Sequence, residues 1–229
     1  MNRVVNKIQQ VLFILLGITI PTSIAITNLV IGLLALCWII EGDFKNKFKT
    51  IKASKWMLSI FALIALYGLG MLWGNTHLNA EWQFQRLALL LVFPILATIA
   101  ISQLTIKRSV MAFLGTAFIS ALASILINNN IIQPLGEYLS FIQVSWRNAA
   151  FITYNYHNVI LALSVILSLY ILIEKKTKYN YLLMIFIVVY ALSIFTERGR
   201  AGQVIFNLSA LFYIIYYNRK HFLRLLAFI

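Results

Sequence analysis

Residues 180–217 read NYLLMIFIVVYALSIFTERGRAGQVIFNLSALFYIIYY. Two apolar runs, 180–196 and 201–217, flank the tetrad Glu197-Arg198-Gly199-Arg200. Each run is close to the roughly 20 residues that cross a bilayer core as a helix. Charged side chains facing lipid are strongly disfavoured, so the tetrad reads as a turn at a membrane face between two antiparallel helices. Gly199 and Gly202 permit a tight turn and a close backbone approach.

The same pattern extends in both directions. Apolar spans are expected at about 9–25, 28–41, 56–74, 86–103, 109–127, 157–173, 180–196 and 201–217. The run Leu225 to Ile229 would open a ninth but stops far short of the roughly 20 residues a span needs, so the chain reads as the N-terminal part of a longer protein. The expected fold is all-α: a polytopic membrane helix bundle of about eight transmembrane helices plus the start of a ninth, one transmembrane domain over residues 1–229. A hydrophobic fraction of 62% and a mean hydropathy of +0.88 exceed what a soluble core requires. Pro21 and Pro94 interrupt the first and fourth spans, where each removes a backbone hydrogen bond and permits a kink.

The connections alternate in charge. All the lysines, with Arg3, Arg108, Arg219 and Arg224, fall at the N-terminus or in the connections 42–55, 104–108, 174–179 and 218–224. The other set, 26–27, 75–85, 128–156 and 197–200, holds only Arg147, Arg198 and Arg200, with Arg86 directly after the second of these connections. Lysine and arginine near helix ends are retained in the cytoplasm. The reading is a multi-pass bacterial inner-membrane protein with a cytoplasmic N-terminus. The net charge of +13 is therefore assigned to topology and to anionic membrane lipids, and nucleic acid is not an expected partner. The basic start, the apolar run Val11–Ile20 and the Ser23-Ile24-Ala25 stretch imitate a signal peptide, but another apolar run follows at once and favours an uncleaved first helix. Cys37 is the only cysteine, which excludes a disulfide framework and a cysteine metal site.

Four arginines on the outer side need a reason to be there. Arg200 opens the last span, where free backbone N–H groups also favour an anion, and its planar fork suits phosphate oxygens. Arg198 either joins it or pairs with Glu197 to fix the turn. Arg147 lies in the long outer segment 128–156, within Trp146-Arg147-Asn148, ahead of Tyr154-Asn155-Tyr156-His157-Asn158 at the mouth of the sixth span. Trp, Tyr and Arg also suit a plain interfacial belt. Arg86 opens the fourth span. His77 and His157 are the outer histidines; neither has a partner at metal-ligand spacing, so no metal is expected, although either could serve as a base. No phosphate loop, nucleophile elbow or dinucleotide fingerprint occurs, and Glu81, Glu137 and Glu197 fall in separate outer connections.

Three stretches resemble the bacterial O-antigen ligase and O-antigen polymerase superfamily. They are Ile20-Pro21-Thr22-Ser23-Ile24-Ala25-Ile26-Thr27-Asn28, a proline hairpin between the first two spans, Arg86 through Pro94 (RLALLLVFP), and Gly199-Arg200-Ala201-Gly202-Gln203. The last is the most specific, and Arg147 also has a family counterpart. The resemblance implies a metal-independent, cofactor-free transferase. It would move glycan from undecaprenyl pyrophosphate to lipid A–core, another glycan or protein at the periplasmic face. It implies that Arg200 and Arg198 of the turn and Arg147 of the preceding outer segment grip the pyrophosphate; Arg86, which either reaches the same cavity or marks the interface, and His157 are further candidate substrate contacts. It places a catalytic histidine in a periplasmic loop beyond Ile229, so this stretch holds half of a site and is expected to be inactive by itself. The competing reading is a carrier or flippase for a lipid-linked glycan or another anion. That class calls for ionisable residues in mid-span, and the central part of every expected span lacks them.

Overall fold

The computed structural model of the chain describes residues 3–71, 80–132, 151–174, 180–197 and 199–217. These residues form ten α-helices, one 3-10 turn and no β-strand. The helices are α1 (Arg3–Thr19), α2 (Ile24–Glu41), α3 (Phe44–Ala53), α4 (Lys55–Gly70), α5 (Ala80–Ala88), α6 (Val92–Thr98), α7 (Gln103–Asn128), α8 (Tyr154–Glu174), α9 (Asn180–Thr196) and α10 (Arg200–Tyr217). By length and composition three helices can cross a membrane: α2, α7 and the Tyr154–Ile173 stretch of α8. A fourth appears if α3 and α4, bent by 93°, are taken as one broken span. Val4–Thr19, Arg86–Thr98 and α9 are apolar but shorter. The expected spans 180–196 and 201–217 coincide with α9 and, within one residue, α10. Two compact units divide the chain: Met1–Leu16 with Thr27–Lys107, and Gly17–Ile26 with Arg108–Ile229.

In the first unit, α2 stops because Gly42 (φ 70°) and Asp43 (φ 52°) both adopt left-handed backbone, and the Gly42 N–H returns to the Ile39 carbonyl at 3.1 Å. The turn sends α3 back against α2. Lys47 on α3 is buried, with its Nζ 2.9 Å from Glu41 Oε2 and 2.7 Å from the Trp38 carbonyl, 4.7 Å above the Trp38 ring. Gln9 Nε2 donates to the same Glu41 oxygen at 3.3 Å. A buried ammonium is tolerated when it is partnered this fully. The segment 42–55, read from the sequence as a lysine-rich connection, thus contains a helix whose Lys47 and Ile51 face inward.

The span expected at 86–103 is divided. α5 passes through a 3-10 turn (Leu89–Leu91) into α6, which ends at Thr98. Pro94 has no N–H to donate and sits in the first turn of α6, where none is required. Thr98 Oγ1 donates to the Pro94 carbonyl at 2.9 Å and accepts from Trp38 Nε1 at 2.8 Å, which ties α6 to α2. The expected connection 104–108 is helical, because Ser102 Oγ caps α7 by accepting the Thr105 N–H at 3.1 Å.

In the second unit, α1 closes at Thr19, whose carbonyl accepts the N–H groups of Thr22 (3.0 Å) and Ser23 (2.9 Å) around a buried Pro21. The first turn therefore lies at 20–23, a few residues before the expected 26–27. The core joins Leu114, Ala117 and Ala121 of α7, Leu161 and Val165 of α8, and Phe186, Tyr190 and Ile194 of α9. Phe118 stacks on Phe186 with centroids 4.4 Å apart, and Tyr190 Oη donates to the Leu114 carbonyl at 2.7 Å. α8 packs along both α9 and α10. Gly202 against Asn158 and Tyr213 Oη on the Ile166 carbonyl (3.3 Å) make α8 and α10 run in the same direction. The ends of α7 and α9 and the starts of α8 and α10 consequently meet at one end of this unit.

Candidate functional site

That meeting point is polar. His157, in the first turn of α8, is fully buried and turns Nδ1 toward Glu197, 3.0 Å from Oε1 and 3.2 Å from Oε2. Glu197 follows α9 directly and is 7% exposed. Ser124 Oγ, near the end of α7, donates to Glu197 Oε1, and Ser193 Oγ lies 3.4 Å from the same oxygen. One carboxylate thus gathers donors from three helices, as a buried acid needs in apolar surroundings. A carboxylate on Nδ1 selects the tautomer with hydrogen there and leaves Nε2 as the ring's acceptor. His157 Nε2 and the neighbouring Asn158 Oδ1 are buried without a hydrogen-bond partner among the described residues.

The α9–α10 turn is held from two sides. Asn158 Nδ2 donates to the Gly199 carbonyl at 3.2 Å. Gln203 Nε2, one turn into α10, reaches the carbonyls of Ile194 (3.2 Å) and Glu197 (3.4 Å), which α9 leaves open at its C-terminus. The glycines meet the expectation of close approach: a Cβ on Gly202 would fall 2.6 Å from the Asn158 carbonyl oxygen, and one on Gly199 would fall 3.2 Å from the Tyr154 carbonyl oxygen. Arg200 opens α10 on top of this arrangement, exposed and without a hydrogen bond or ion pair to another described residue. Its positive charge adds to the positive end of the helix rather than opposing it.

Of the residues singled out in the sequence, His157 and Arg200 are brought to the same turn. Arg86 is exposed in the last turn of α5 and belongs to the first unit. Arg147, Arg198 and His77 lie outside the described residues. His157, read from the sequence as a solitary interfacial histidine, is buried and paired. Glu197, considered only as a partner for Arg198, turns toward His157. Ser124 and Ser193 carry no motif in the sequence, and Asn158 enters only as the end of the Tyr154–Asn158 stretch. Their one sequence signal is position, since each lies within about a turn of an apolar helix end. Among the described residues no three His, Cys, Asp or Glu side chains gather as metal ligands. No family model, curated protein or solved structure matches the chain.

Proposed function

We propose that this chain is part of an O-antigen ligase-type glycan transferase of the bacterial inner membrane, with its active face periplasmic. In this reading the shorter apolar helices complete a bundle of about eight spans. The reaction moves a glycan from undecaprenyl pyrophosphate to lipid A–core or another hydroxyl-bearing acceptor. One observation carries it: an exposed arginine at a helix N-terminus sits on a turn braced from below by a buried His157–Glu197 pair. Arg108, near the start of α7, is ~24 Å along that helix from Ser124, which puts the lysine-bearing end opposite the site.

In such a transfer the acceptor oxygen forms a bond to the anomeric carbon while the sugar–phosphate bond breaks. The leaving pyrophosphate gathers negative charge, and the acceptor hydroxyl gives up a proton to a base. Arg200 supplies fixed N–H donors where that charge develops. Arg147 and Arg198 are its proposed companions, and the buried His157 holds Glu197 beneath the turn.

Binding tests the role of Arg200. Affinity of the purified chain for undecaprenyl pyrophosphate, measured by titration in detergent, is expected to fall roughly 10- to 100-fold in Arg200→Ala, the loss of one charged hydrogen bond at about 1.5–3 kcal/mol. Arg200→Lys is expected to lie nearer Arg200→Ala than wild type, because lysine keeps the charge and loses the fork. Wild-type affinity in both variants would remove the pyrophosphate role.

Orientation is tested separately. With Cys37→Ala as background, a membrane-impermeant thiol reagent admitted through the outer membrane is expected to label Asn129→Cys and spare Asn46→Cys in intact cells. The reverse pattern would invert the topology.

A further inference from the structure

α3 carries three stripes that a connecting segment has no need of. At about 100° per residue, Lys47 and Ile51 share the inward face. Phe44 and Phe48 form the next stripe, 41% and 51% exposed. Lys45, Lys49 and Lys52 form the stripe beyond, all exposed. The remaining face is polar: Asn46 and Thr50 line a cavity of about 290 Å³ with Glu41, Asp43 and Thr98. At Ser54 the chain turns by 93° into α4, an apolar helix that begins with the exposed Lys55 and Trp56 and exposes Leu58, Leu63, Leu66 and Leu69 along its length.

A helix at a right angle to an apolar helix lies in the membrane plane when the apolar one crosses the bilayer. Aromatic side chains beside a row of lysines are the arrangement that sits at the headgroup boundary, rings toward the acyl chains and ammonium groups toward phosphate. We infer that α3 is an in-plane helix that docks on an anionic phospholipid surface, with Phe44, Phe48 and Trp56 entering the interface and Lys45, Lys49, Lys52 and Lys55 contacting headgroups. Charge decides the partner: four exposed lysines face one nearby exposed acid, Asp43, whose carboxylate already accepts from Asn46 Nδ2 at 2.9 and 3.0 Å. Lys47 takes no part, being committed to Glu41. The Phe stripe stays uncovered in the fold because the bilayer covers it. The inference rests on the membrane placement of the chain and is independent of glycan transfer.

Bromolipid quenching reads it directly. Single-cysteine variants Phe48→Cys, Asn46→Cys and Leu66→Cys, each with Cys37→Ala, are labelled with bimane and reconstituted in vesicles holding brominated phosphatidylglycerol or brominated phosphatidylcholine. Position 66 reports that α4 is embedded, and should be quenched by both lipids. Position 48 is expected to be quenched more strongly by the anionic lipid, and position 46 weakly by either. Replacing Lys45, Lys49 and Lys52 by Gln should lower the anionic preference at position 48 by about fivefold per lysine, and salt should lower it further. Phe44→Cys is a second reporter of the same stripe. Quenching at 66 with none at 44 and 48 would overturn the inference while leaving the membrane placement standing. Equal quenching of 48 by the two lipids would remove the anionic specificity. A bimane at 48 shielded from iodide yet untouched by bromolipid would mean that protein covers the stripe, which also overturns it. Absence of quenching at 66 would strike the membrane placement itself.

Discussion

His157→Ala should unfold the polar end of the second unit far more readily than wild type, at a cost of about 3–5 kcal/mol. Glu197 would remain buried with its carboxylate facing only Ser124 and Ser193, because the ring that now lies 3.0 Å from Oε1 is gone. A buried acid stripped of its main partner is a larger penalty than the pair's own net contribution, since the carboxylate loses hydration on burial in any case. Glu197→Ala should be similarly severe, leaving His157 Nδ1 and the Ser124 hydroxyl without their acceptor. Glu197→Gln keeps an oxygen for both and should cost only about 1–2 kcal/mol. Thermal unfolding in detergent, followed by tryptophan fluorescence, gives the order: wild type, Glu197→Gln, then the two alanine variants. Should Glu197→Gln prove as damaging as Glu197→Ala, the negative charge itself would be what the site requires, not the hydrogen bonds.

Gly202 is the second position where a small change should have a large effect. α10 approaches α8 so closely there that a single methyl would meet the Asn158 carbonyl oxygen at 2.6 Å and crowd the Asn158 side chain. The obstacle is helix backbone and cannot swing aside as a surface side chain would. Gly202→Ala is expected to cost about 1–3 kcal/mol, and Gly202→Leu more, as α10 is forced off α8. That displacement would also stretch the Asn158–Gly199 bond that holds the turn beneath Arg200. Gly115 on α7 is the matched control, with nothing within 4 Å of a Cβ placed on it. Gly115→Ala should be neutral or stabilising by roughly 0.5–1 kcal/mol, from helix propensity alone. Equal melting temperatures for Gly202→Ala and Gly115→Ala would mean that α8 and α10 do not pack as described.

Helical character was legible where hydrophobicity runs uninterrupted. α9 and α10 were bounded almost to the residue, since lipid-facing helices are apolar on every side and their ends are set by the first charges. The reading failed where two signals share one segment. In 42–55 the abundance of lysine, expected of a cytoplasmic connection, hides the Phe44, Lys47, Phe48, Ile51 spacing of an amphipathic helix. In 86–103 the interruption expected at Pro94 falls instead at the 3-10 turn Leu89–Leu91, and the helix ends at Thr98, short of the expected span. For the site, Arg200 was found from the cost of placing its charge near lipid, and Gly202 from the turn it permits.

The sequence by itself determined that this chain is helical and apolar enough for membranes, and that a charged glycine turn separates its last two described helices, because both follow from local composition. The pairing of His157 with Glu197, 40 residues away, and of Ser124 with the same acid, 73 residues away, was decided only by the tertiary structure. Those contacts depend on how α7, α8 and α9 are rotated about their axes. That rotation comes from the packing of Leu114, Leu161, Phe186 and Tyr190 against one another, and hydropathy along a single helix carries almost no record of it when the helix is apolar on all sides.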